Sequence, residues 1–187
     1  MIRKIFFPLL KCDSTESNSK KAWAIVALFS LIVTVFIYIE FVFIDGITKS
    51  MLYDAVGWFL AVLVRCIELA VFLQFMFILA HKKCSFRYLI AKTHVVMYPL
   101  IGIQQIFVKL RHYMPDSHVL NFIQICVTMA LLVWVAVNTY LFLMSVWDFK
   151  KTAAVAICVL YVVFSWMQIL PLFAVVAYSK IAWLLFR

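Results

Sequence analysis

Five apolar runs of about 20 residues or more dominate this sequence, and short polar turns separate them. A transmembrane α-helix needs ~20 apolar residues to cross the hydrocarbon core of a bilayer. Because the backbone inside a bilayer must satisfy its own hydrogen bonds, such runs fold as helices. We therefore expect an all-α, polytopic helical membrane protein with about five transmembrane helices. The expected spans are residues 22–44, 53–80, 88–108, 119–147 and 152–177.

The composition leaves no room for a separate soluble domain. Hydrophobic residues make up 67% of the chain and charged residues 13%, whereas a typical soluble domain is roughly half apolar. Residues 22–187 are therefore expected to form a single helical bundle, preceded by a cytoplasmic or interfacial segment, residues 1–21. The net charge of +9 would suit a nucleic-acid partner in a soluble protein. Here the basic residues flank apolar runs, so we expect the bilayer as the partner and no nucleic acid.

The basic residues are divided unevenly between the two sets of loops. With the N-terminus in the cytoplasm, ten Lys and Arg lie on the cytoplasmic side and five on the opposite side, which is the bias that orients inner-membrane proteins. We expect a multi-pass protein of a bacterial inner (plasma) membrane, with residues 178–187 as an interfacial C-terminal tail. The expected cytoplasmic basic residues, first a topology signal and second a site for anionic lipid head groups, are Lys82, Lys83, Arg87, Lys92, Lys150 and Lys151.

An arginine and a glutamate lie three residues apart in the middle of the second apolar run. At this spacing Arg65 and Glu68 share one face of a helix and can pair. Charges at bilayer depth normally face the protein interior. Asp54, Gly57 and Ala61 lie on the same face, so we expect a buried stripe where the two small residues let a neighbouring helix approach closely. The pair either holds the bundle together or lines a path for a proton, an ion or a lipid head group.

Polar residues of the other spans are expected to meet this pair. Counting depth at ~1.5 Å per residue predicts a polar layer near the middle of the membrane. The expected intramembrane cluster comprises Arg65, Glu68, Gln104, Asn138 and Gln168. Glu40 and Asp54 are expected together near the outer surface.

The sequence contains no pattern typical of catalysis or metal binding. The five cysteines are scattered singly, and no His-x-x-x-His, Gly-x-Ser-x-Gly or glycine-rich phosphate loop occurs. We therefore expect no catalytic residues, no metal and no cofactor, and we predict that the protein is not an enzyme.

The second half of the chain resembles a known family of membrane proteins. A basic loop leads into residues 85–90 (SFRYLI), and a central proline follows in residues 97–101 (MYPLI). Residues 132–134 (LVW) and the turn at 147–154 (WDFKKTAA) come before a final span. This order resembles the bacterial branch of the Yip (Ypt-interacting-protein) domain family over residues 84–175. The resemblance implies a compact five-span protein that acts through partners and has no catalytic residues.

Three functions remain open on the sequence alone. The first is a non-catalytic interaction or organising protein of the Yip-like type, with a membrane-protein partner or a second copy of itself. The second is a small transporter or channel subunit that uses the Arg/Glu/Gln/Asn polar layer. The third is an immunity-type protein that protects against a membrane-acting toxin.

Overall fold

The computed structural model describes residues 18–46, 48–114 and 117–167, and this part of the chain is all-helical. Residues 1–17 and 168–187, including Gln168 and the expected interfacial tail, lie outside the described residues. The helices are α1 (Asn18–Asp45), α2 (Lys49–Leu79), α3 (Phe86–Tyr113), α4 (His118–Val146) and α5 (Lys151–Trp166).

Short connections make successive helices antiparallel neighbours. The α1–α2 and α3–α4 turns lie at one end of the bundle, which we call the Gly46 end. The α2–α3 and α4–α5 turns lie at the other, the Cys84 end. Helices α1, α2 and α3 pack against one another, while α4 and α5 form a second hairpin that contacts α3 and α2. The interior between the two groups therefore runs along α2 and α3.

Local chemistry explains where the helices begin and end. At the first turn Gly46 adopts φ +70°, a left-handed conformation that glycine tolerates. The Thr48 hydroxyl then accepts a hydrogen bond from the Met51 amide at 3.2 Å and caps α2. Ser117 caps α4 in the same way, accepting from the Leu120 amide at 3.2 Å.

The core is largely apolar, and some of its buried hydroxyl groups are satisfied within their own helices. Large buried side chains such as Phe77, Phe142 and Tyr161 fill the interior at the Cys84 half of the bundle. The buried hydroxyls of Ser30 and Thr34 each donate to the carbonyl four residues earlier at 2.8 Å. Such bonds let small polar residues pack in an apolar interior without water.

Three of the helices are long and apolar enough to cross a membrane. These candidate spans are Lys20–Glu40, Lys49–Leu79 and His118–Val146, which agrees with a helical membrane protein. Helix α3 has the expected position but carries Lys92, Gln104 and Gln105, which lower its hydropathy. Helix α5 is described for 16 residues, and the rest of the expected fifth span lies outside the described residues.

Candidate functional site: a polar cavity inside the helix bundle

The predicted contact between Arg65 and Glu68 is present in the structure. Arg65 Nη1 forms an ion pair with Glu68 Oε2, and the two residues are 6% and 0% exposed. The same Arg65 nitrogen donates to the main-chain oxygen of Ser165 on α5 at 3.3 Å. The pair therefore links α2 to the second hairpin instead of facing lipid.

The direction of α2 explains which way the arginine points. Side chains on an α-helix lean toward its N-terminus, and the N-terminus of α2 lies at the Gly46 end. The long Arg65 side chain therefore extends toward that end, away from the packed core around Phe77. There it lines a cavity of about 260 Å³.

The cavity is polar on several sides. Side chains from α2, α3, α4 and α5 surround it, and they include Trp58, Arg65, Gln104, Gln105, Arg111, Gln124, Thr128 and Ser165. The indole nitrogen of Trp58 donates to Gln105 Oε1 at 3.1 Å and holds that amide in place. At ~30 Å³ per water molecule, the volume corresponds to roughly nine waters. It is therefore large enough for a small solute.

Several polar atoms at this cavity make no hydrogen bond to another described residue. They are Gln124 Oε1, Thr128 Oγ1, Ser165 Oγ and, beside Arg65, Glu68 Oε1. A buried polar atom without a partner costs about 1–3 kcal/mol. Three of these atoms belong to residues that line the cavity, namely Gln124, Thr128 and Ser165.

A second and larger opening lies at the Gly46 end. This cleft has a volume of about 590 Å³, within the ~300–1,000 Å³ typical of small-molecule sites. Glu40 and Asp54, predicted to lie together near one surface, both line it. Glu40 accepts a hydrogen bond from the Tyr113 hydroxyl and pairs with Lys109 Nζ at 3.7 Å. The cleft thus contains charges of both signs.

The cleft and the cavity are adjacent. Trp58, Val108 and Arg111 line both of them. The side chains of Trp58, Val108 and Arg111 therefore lie between the cleft at the Gly46 end and the cavity at Arg65.

The residues predicted to form the polar layer do not all line the cavity. Gln104 lines the cavity with Arg65. Asn138 is buried, but it does not line the cavity, and its amide donates to the Trp134 carbonyl on its own helix at 2.9 Å. Asn138 lies twenty residues into α4, about 30 Å from the Gly46 end at ~1.5 Å per residue. Gln168 lies outside the described residues.

The expected buried stripe on α2 is wrong in its first half. Asp54 is exposed, and Gly57 and Ala61 are partly exposed, whereas Arg65 and Glu68 are buried. The reason is that the Gly46-end cleft opens beside the first turns of α2, so Asp54 faces the cleft instead of a packed neighbour.

The predicted basic surface is only partly free. Lys82 donates to the Trp147 carbonyl and lies 4.2 Å from the centre of the Phe149 ring, so it joins the two turns of the Cys84 end. Lys92 is partly buried and lies 5.8 Å from the centre of the Tyr88 ring. The four remaining basic residues are exposed: Lys83, Arg87, Lys150 and Lys151. For Lys82, the expected head-group contact is replaced by an internal one.

Five residues that line the cavity were not predicted from the sequence, namely Trp58, Arg111, Gln124, Thr128 and Ser165. A usable signal existed, because Gln124 and Thr128 are four residues apart and share a face of α4. Counted from the Gly46 end, Gln124 and Gln104 lie at about 9 and 13 Å at ~1.5 Å per residue, which already placed them at similar depth.

Comparisons of this chain with family models, curated proteins and solved structures find no match. The resemblance to the Yip-domain family therefore stays a prediction.

Proposed function

We propose that this chain is a five-span protein of the inner (plasma) membrane, with a cytoplasmic N-terminus, that binds and transfers a small polar ligand without catalysing a reaction. In this orientation the Gly46 end faces outward. The proposal favours the small-transporter function over the organising one. The observation that carries it is the polar cavity around Arg65, which lies next to the cleft.

A buried arginine in a membrane-spanning helix is a candidate functional residue, because burying its charge in the membrane costs free energy. If the pair had only a packing role, a closely packed interior around it would suffice. Arg65 instead borders open volume together with amides from α3 and α4. Secondary transporters commonly place their ligand sites near the middle of the bilayer, and Arg65 lies sixteen residues into α2.

The shape of the interior favours a carrier over a channel. A channel needs a continuous pore, whereas a carrier exposes its site to one side at a time. Among the described residues, the Cys84 half of the bundle is filled by buried side chains, including Leu73, Phe77, Phe142 and Tyr161. Among the described residues, the open volume of the Gly46 half therefore does not continue past Arg65 in this conformation.

Cysteine labelling tests whether the cavity is reached from the outer side. In a background without the native cysteines, Gln104→Cys should react with a membrane-impermeant, charged thiol reagent added outside intact cells. Ser50→Cys, in the exposed cleft, is the positive control. Ile106→Cys, which is exposed on α3 and does not line the cavity, is the matched negative control. If Ser50→Cys reacts and Gln104→Cys does not, the proposal is wrong.

A paired substitution separates transport from organisation. The double variant Arg65→Met/Glu68→Leu removes both charges while keeping similar side-chain volumes. It should still insert, and it should lose the cellular activity measured by complementing a deletion strain. Full activity of this variant would favour the organising function instead.

The organising and immunity-type functions remain predictions. Co-purification in mild detergent tests the first, because a stoichiometric protein partner would favour organisation over autonomous transport.

A further inference from the structure

Not all charged side chains of the Gly46-end cleft form ion pairs within the protein. Glu40 and Lys109 pair with each other, and Lys109 also donates to the Phe36 carbonyl at 3.0 Å. Asp54 and Arg111 line the same cleft, and neither forms an ion pair or a hydrogen bond with another described residue. Among the described residues, the cleft therefore presents a carboxylate, Asp54, and a guanidinium, Arg111, that form no ion pair with each other or with another charged group.

Separated charges of opposite sign suit a ligand that also carries two separated charges. A carboxylate binds an ammonium, and a guanidinium binds a phosphate through two parallel hydrogen bonds. Trp58 also lines the cleft, and aromatic faces attract ammonium groups. A ligand with a single charge would leave either Asp54 or Arg111 without a counter-charge.

The position of the cleft favours a lipid as the ligand that carries these two charges. It lies where α1, α2 and α3 reach the Gly46 end, the level at which a bilayer has its head groups. Large apolar side chains of the same end are exposed nearby in the sequence, including Phe43, Leu52 and Val56. Acyl chains can therefore lie along the helices while the head group enters the cleft.

We infer that the Gly46-end cleft binds the head group of a zwitterionic phospholipid that carries a primary ammonium and a phosphate. The ammonium binds at Asp54 and the phosphate at Arg111. This inference rests on the proposed function, because it identifies the chemical class of the ligand that binds next to the Arg65 cavity.

Native mass spectrometry of the purified, delipidated full-length protein tests this assignment. The probes are phosphatidylethanolamine and phosphatidylglycerol with identical acyl chains. The wild type should bind phosphatidylethanolamine about 10-fold more tightly, the effect of roughly one charge-assisted hydrogen bond. Asp54→Asn should remove this preference, and Arg111→Gln should weaken the binding of both lipids.

Two control variants remove charges of the same kinds elsewhere. Lys49→Gln removes an exposed cation of the Gly46 end that does not line the cleft, and Asp148→Asn removes an exposed carboxylate of the Cys84 end. Both should keep the wild-type preference. All four substituted residues are exposed, and unchanged thermal unfolding would show that each variant is folded.

Three results would overturn the inference. They are equal binding of the two lipids by the wild type, retention of the preference in Asp54→Asn, and displacement of the lipid by equimolar glycerophosphoethanolamine. The last would show a soluble zwitterion to be the ligand. The variant Arg65→Met/Glu68→Leu should keep the lipid preference, so failure of the cavity function and failure of the cleft assignment give different results.

Discussion

Removing one partner of the Arg65–Glu68 pair should destabilise the bundle far more than removing both. Glu68 is fully buried, and its hydrogen-bond donor among the described residues is Arg65. The Ser165 hydroxyl lies close to the Glu68 carboxylate. Arg65→Met therefore leaves an uncompensated buried carboxylate, at a cost of about 3–5 kcal/mol in unfolding free energy.

The reverse substitution should cost less. In Glu68→Leu the guanidinium of Arg65 keeps its hydrogen bond to the Ser165 main-chain oxygen at 3.3 Å, and it still borders the polar cavity. We expect a loss of about 1–3 kcal/mol, the cost of one poorly satisfied buried polar group. The double variant removes both charges and should lie within about 1 kcal/mol of the wild type, since apolar replacement of a whole buried pair is often neutral.

Unfolding free energies in mild detergent, measured by steric trapping or SDS titration, check this order. The two single losses sum to roughly 4–8 kcal/mol, so the double variant should show a coupling energy of about 3 kcal/mol or more. Leu60→Met, on an exposed position of α2, is the matched control and should change little. The prediction would be wrong if the losses of unfolding free energy were additive in the double variant. It would also be wrong if Glu68→Leu lost more unfolding free energy than Arg65→Met.

Two further predictions concern the Cys84 end. Lys82→Met removes a hydrogen bond and a cation–π contact between the two turns and should cost about 1–2 kcal/mol in thermal unfolding. Lys83→Met, at the exposed neighbour, should have no measurable effect, and equal effects would contradict the assignment. Burial raises the pKa of the Cys84 thiol to about 11, so its thiolate is roughly 100-fold scarcer at pH 8 than that of an ordinary thiol. Since the more basic thiolate is intrinsically more reactive, alkylation should be about 10-fold slower than at Ser85→Cys in single-cysteine proteins. Its rate should rise until the pH nears 11, and a rate equal to that of the exposed control would show that the thiol is not buried.

The local features of this chain could be predicted from its sequence. The second span was expected at residues 53–80, and α2 covers Lys49–Leu79. The contact between Arg65 and Glu68 was also predictable, because a separation of three residues places two side chains on one helical face whatever surrounds them. Both predictions depend on the length of the apolar runs and on helical spacing, which can be read directly from the sequence.

The tertiary structure determines which residues line the polar cavity. A helix in a soluble protein shows its buried face as an apolar stripe, but lipid is as apolar as the interior of a membrane bundle. The sequence of α4 therefore carries little information on its rotation. A shift of one residue turns a side chain by 100°, and depth along a helix says nothing of that angle. Only the packing of α4 against α3 and α5 turns Gln124 and Thr128 toward the cavity. Asn138 is separated from the cavity by its depth along α4.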